Sequence, residues 1–139
     1  MKELICAAAG VAGAAIASLF GGWNMALVTL CIFMAGDYVS GLICAGVFHK
    51  SQKSATGALE SKACFKGLVR KCMVLLLVLV AYRIDLALHI DFVKDGVCTA
   101  FIASEAISIT ENAGLMGVPL PAVLTNAIDV LTKRGDKEE

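Results

Sequence analysis

The chain has 139 residues, 12 Lys and Arg against 12 Asp and Glu, and 58% apolar residues, with a mean hydropathy of +0.80. Soluble domains run at about 45–50% apolar and about 25% charged, whereas 17% of this chain is charged. The composition points to a membrane protein, and zero net charge gives no general affinity for nucleic acid.

The six cysteines, Cys6, Cys31, Cys44, Cys64, Cys72 and Cys98, form no CxxC and no zinc-spaced Cys/His cluster. They read as reduced, small apolar residues. There is no HExxH, no glycine-rich phosphate loop and no nucleophile with a base and an orienting acid. The sequence therefore reads as a non-enzyme that calls for no metal or cofactor. His49 and His89 read as interfacial residues at helix ends.

Four apolar segments follow in chain order, at about residues 4–22, 25–48, 72–90 and 96–117. A bilayer core needs roughly 17–25 helical residues to cross, and backbone in lipid must satisfy its own hydrogen bonds, which favours helices. The expected fold is an all-α membrane protein of one domain, residues 1–139. It has four transmembrane helices, or three if the first stays peripheral, and a short amphipathic C-terminal helix. The first segment could pass for a secretory signal ending at Ala15-Ile16-Ala17. Glu3 and the immediately following apolar run favour an uncleaved span.

The connections set orientation. Residues 49–71 carry Lys50, Lys53, Lys62, Lys66, Arg70 and Lys71 against Glu60 alone, and the tail carries Lys133, Arg134 and Lys137. By the positive-inside rule, loop 49–71 and both termini are expected on the cytoplasmic side of a bacterial membrane. Pro119 and Pro121 stop the fourth helix. Within the remaining 119–139, Val123, Leu124, Ala127, Ile128 and Leu131 share one face of a surface helix ahead of a charged tail.

Small residues recur at helical spacing. Gly10, Ala14 and Ser18 form one row, Gly13, Ala17 and Gly21 another, and the second segment has Gly36, Ser40, Gly41 and Cys44. Such rows let helices approach closely in lipid, within one chain or between copies.

Asp37 lies near the middle of the second segment, about 18 Å from either end at 1.5 Å per residue. A charge that deep costs at least about 2.5–3.5 kcal/mol. Arg83 and Asp85 diverge on one helix and need partners elsewhere. Matching depths suggest an Arg83–Glu105 pair, with Arg83 reaching the outer surface as the alternative. In the fourth segment, Ser104, Glu105, Ser108, Glu111 and Asn112 fall within about 120° of the helix circumference. This polar stripe faces a bundle core, a partner subunit or a water-filled path.

The block SEAISITENAGLMGVPLPAVLTNAIDVL resembles the signature of the toxin-secretion/phage-lysis holin family. That signature reads roughly as N-E-x-I-S-I-x-E-N, a short spacer, G-V-P-x-P and an amphipathic tail helix. Further matches are Asp37 with Gly41 in DYVSG, Phe65, Gly67 and Lys71 in FKGLVRK, and Asp85 in VAYRID; the likeness runs from about residue 25 to 131. Ser104 stands where the family usually has Asn, and Ala106 where Gly is common.

The resemblance implies a small protein of the host cytoplasmic membrane that self-assembles into lesions. A cell-wall hydrolase (endolysin) or a toxin would leave through them, and the membrane potential would collapse. On that reading the polar stripe lines the lesion, and Lys62, Lys66, Arg70 and Lys71 sit on anionic inner-leaflet lipid, worth about 1 kcal/mol per residue. A small proton-coupled transporter using Glu105 or Asp37 is the alternative.

Overall fold

The computed structural model describes residues 1–138 and holds five helices: α1 (Lys2–Leu19), α2 (Met25–Gly46), α3 (Ser61–Leu88), α4 (Val93–Leu115) and α5 (Ala122–Glu138). Glu139, the last residue of the expected tail, lies outside the described residues.

Local chemistry sets the helix ends. Asn24 caps α2, its side-chain oxygen accepting the Leu27 N–H at 2.8 Å; such a cap satisfies one of the free N–H groups of the first turn. At the end of α3, His89 adopts a left-handed conformation and the Ile90 N–H returns to the Asp85 carbonyl. The Asp85 carboxylate then accepts the N–H groups of Val93 and Lys94 at 3.0 and 2.9 Å, capping α4 from the preceding helix. Gly117, at φ +83°, ends α4 ahead of the two prolines, as a residue without Cβ does at low cost.

The fold differs from the expectation of four membrane spans, or three. Among the described residues only α1 and α2 are long and apolar enough to cross a membrane. The expected third and fourth spans fail for a sequence reason. Lys71, Arg83 and Asp85 interrupt α3, and Glu105 and Glu111 interrupt α4. Ionised groups of this kind carry most of the cost of membrane burial.

Two boundaries also move. Residues 61–71, expected in the loop, are the first turns of α3. No proline breaks SKACFKGLVRK, and its small residues pack on α2, with the Tyr38 ring within van der Waals reach of a Cβ on Gly67. The tail helix is longer than the expected amphipathic stretch. α5 runs to Glu138 and folds back along α4, where a Cβ on Gly135 would lie 3.1 Å from Ala100 Cα.

α2 and α4 lie side by side and parallel, since Asp37 meets Ser108 and Ser40 meets Asn112. α3 is the antiparallel crossover, meeting α4 at Lys71–Glu105 near its start and at Asp85–Lys94 near its end. Phe20, Leu27, Leu30, Met34, Val78, Cys98 and Ile102 form the apolar core.

α1 stands apart. Ala17 is its one buried residue, while Leu4, Ile5, Val11, Ile16 and Leu19 are exposed. Its C-terminal corner is nevertheless pinned. The buried Lys94 ammonium donates to the Phe20 carbonyl and lies 5.0 Å from the centroid of the Tyr82 ring, where a cation favours both a helix C-terminus and an aromatic face. A Cβ on Gly21 would sit 2.7 Å from that ring, and its φ of +81° also demands glycine.

Candidate functional site

Where α2, α3 and α4 meet, the helices bury an ionic cluster. Asp37, on α2, is 5% exposed. Its carboxylate accepts the Lys71 ammonium at 2.6 Å, the Ser108 hydroxyl at 2.6 Å, Lys53 at 3.2 Å and the Asn112 amide at 3.3 Å. Lys71 also donates to Glu105 at 2.7 Å, so one ammonium from α3 clamps carboxylates from α2 and α4.

Further bonds tie α2 to α4. Asn112 donates to the Ser40 hydroxyl at 2.9 Å, and Ser40 donates to the Asp37 carbonyl at 3.1 Å. Lys53, from the loop between α2 and α3, bonds Ser108 at 3.3 Å. Two carboxylates face two ammonium groups, so the cluster is charge-neutral. Every buried side-chain donor and acceptor among the described residues has a partner, as low-dielectric surroundings require.

Beside the cluster lies a cavity of about 240 Å³. Gly41, Ala63 and Gly67 leave its space, Ser104 lines one wall, and Lys53 and Ser54 come from the loop over it. No group of His, Cys, Asp and Glu among the described residues is arranged to hold a metal ion.

The expected polar stripe is split. Glu105 and Asn112 are buried in the cluster with Ser108 half-buried, while Ser104 and Glu111 are exposed. Glu105 is paired with Lys71 and not with Arg83, which is exposed. Equal depth does not make partners of Arg83 and Glu105, because the rotation of α3 about its axis decides which side chain faces α4. α3 enters from the Lys71 end, and the 3.6-residue period puts Lys71 on the same face as Val74, Val78 and Asp85.

For the same reason Lys71 leaves the expected basic anchor, and Lys62, Lys66 and Arg70 remain exposed. Among the small residues, Gly10, Gly13 and Ala14 have open space around them or only partial cover. Ala17 is buried, Gly36 faces Ile109, and Gly41 faces Asn112. Lys53 is expected only as one cation of the basic loop, not at the cluster, and the structural part of Lys94 is not expected at all. Lys53 sits in a polar loop with no periodicity to aim it, whereas Lys94 could have been noticed as a lysine beginning an apolar helix.

The profile of the bacteriophage holin family matches residues 14–133, from the second half of α1 into α5. The chain belongs to the bacteriophage holin family. That places it in a family of non-enzymatic proteins, and the cluster lies wholly inside the matched range.

Relatives are found along almost the whole length. A Listeria innocua protein without an assigned function is 39% identical over 129 residues, 91% of this chain and 86% of its own. One from Halalkalibacterium halodurans is 34% identical over 145 residues, the full length of both. A "probable holin" of Bacillus phage phi105 is 34% identical over 103 residues, 73% of this chain and 70% of its own. No solved structure matches the chain.

Proposed function

We propose that this holin-family chain acts as a holin of the toxin-secretion/phage-lysis type. It accumulates in the bacterial cytoplasmic membrane and assembles into lesions that collapse the membrane potential. Through them a cell-wall hydrolase, or a toxin, leaves the cytoplasm. The observation that carries the reading is α1. It is an apolar helix matched in its second half by the family profile, yet it buries a single residue within its own subunit. Such a helix requires lipid or another copy, and its Gly10, Gly13 and Ala14 surface suits close helix approach.

α1 and α2, joined by the uncharged Gly21–Asn24 turn, are the segments suited to membrane insertion. In this reading the N-terminus and the basic loop stay cytoplasmic, and so does the C-terminus. Before assembly, Asp37, Glu105, Ser108 and Asn112 satisfy one another.

The test is inducible expression in a bacterium that also makes a cell-wall hydrolase with no export signal of its own. The expected outcome is normal growth, then abrupt lysis after a delay. Tolerance to a toxic cation without lysis would instead favour a proton-coupled transporter and overturn the proposal.

A further inference from the structure

Two exposed, oppositely charged side chains stand at one height on different helices. Lys71 and Glu105 are in contact and fix the relative height of the antiparallel helices α3 and α4. Lys66 lies five residues before Lys71 and Glu111 six after Glu105. At 1.5 Å per residue these are displacements of about 7.5 and about 9 Å towards the same end of the bundle. Neither residue takes part in an ion pair among the described residues, and both are exposed.

Their surroundings differ in a complementary way. Around Lys66, α3 presents Phe65, Val69 and Met73, exposed by 68%, 50% and 51%, with Lys62 and Arg70 as further cations and no acid between them. Around Glu111, α4 presents a smooth exposed ridge of Ser104, Ile107, Glu111 and Gly114. A Cβ on Gly114 would meet nothing within 4 Å. One face is basic and bulky; the other is acidic and low. At the same height α2 exposes Val39.

We propose that the α4 ridge of one copy docks on the α3 face of the next, with Glu111 paired to the neighbour's Lys66. This deepens the holin reading by naming the contact through which copies assemble. The two faces are different surfaces, so the contact is head-to-tail. Repeated, it closes into a ring or extends into an array. An exposed ion pair adds little energy by itself; its effect here is to select the partner face and its register, as charges do at interfaces.

The test is carbodiimide crosslinking of the full chain in membranes, which joins a lysine directly to a contacting carboxylate. The parent is expected to give a ladder of covalent oligomers. Glu111→Lys alone and Lys66→Glu alone are each expected to lose it. Co-expression of the two single variants restores complementary charges only between copies, so the ladder returns. Rescue by the double variant in one chain without rescue by co-expression would mean the pair forms within a subunit, and the proposal fails. Loss of lysis in Lys66→Glu, with Glu111→Lys unaffected, would assign Lys66 to anionic lipid and also overturn it. A ladder obeying the charge rules in a chain that never lyses cells would sink the holin reading and leave this contact standing.

Discussion

Lys71→Met is expected to be among the most destabilising single changes in the chain, at about 3–5 kcal/mol, because it breaks a buried ion pair and leaves the other partners uncompensated. Among the described residues, Lys71 is the one group that bonds both Asp37 and Glu105. Without it two carboxylates share a buried space, and Lys53 approaches only one of them. Thermal unfolding in detergent, followed by helical circular dichroism, reads the effect. The triple variant Lys71→Met, Asp37→Asn, Glu105→Gln should recover much of the loss, since neutral replacement of a whole buried pair is often tolerated. If Lys71→Met unfolded like the parent, the clamp between the three helices would not hold them together.

Asp37→Leu should cost a similar amount, for the complementary reason. Lys71, Ser108 and Asn112 would lose an acceptor together. Asp37→Asn keeps a carbonyl oxygen in place and should cost less, about 1.5–3 kcal/mol for weakened hydrogen bonds to a charged group. Glu105→Gln should be milder than Asp37→Leu, because Glu105 accepts one bond from the cluster. The same unfolding measurement ranks the three variants. An order with Glu105→Gln worst would move the centre of the network away from Asp37.

Much of this was legible in the sequence. The apolar runs located the helices, and the stripe rule brought Glu105, Ser108 and Asn112 to one face. Asp37 stood out because a carboxylate in SLFGGWNMALVTLCIFMAGDYV has no local reason to be there.

Pairing was not legible, because it depends on how α3 enters the bundle. Reading 49–71 as one loop removed the turns that aim Lys71 inward, and Arg83 took its place as the apparent partner of Glu105. The span count failed on a related point. A run such as CMVLLLVLVAYRIDLAL is apolar on average, but its charges are structural. Asp85 caps the next helix, and a window average cannot show that. Glu111 lies on the same stripe as Glu105, yet the structure leaves it outside the cluster. Sequence spacing defines a face about 120° wide, and the packing of α2 and α3 on only part of it splits the two acids.

If copies assemble into lesions as proposed, a folded enzyme should pass through them. The most direct measurement uses the purified chain in liposomes of anionic lipid, loaded with both a small dye and a folded cell-wall hydrolase. Both are expected to escape together, steeply above a threshold ratio of protein to lipid, because release requires assembly. Release of dye or protons alone at every ratio, with the hydrolase retained, would contradict it.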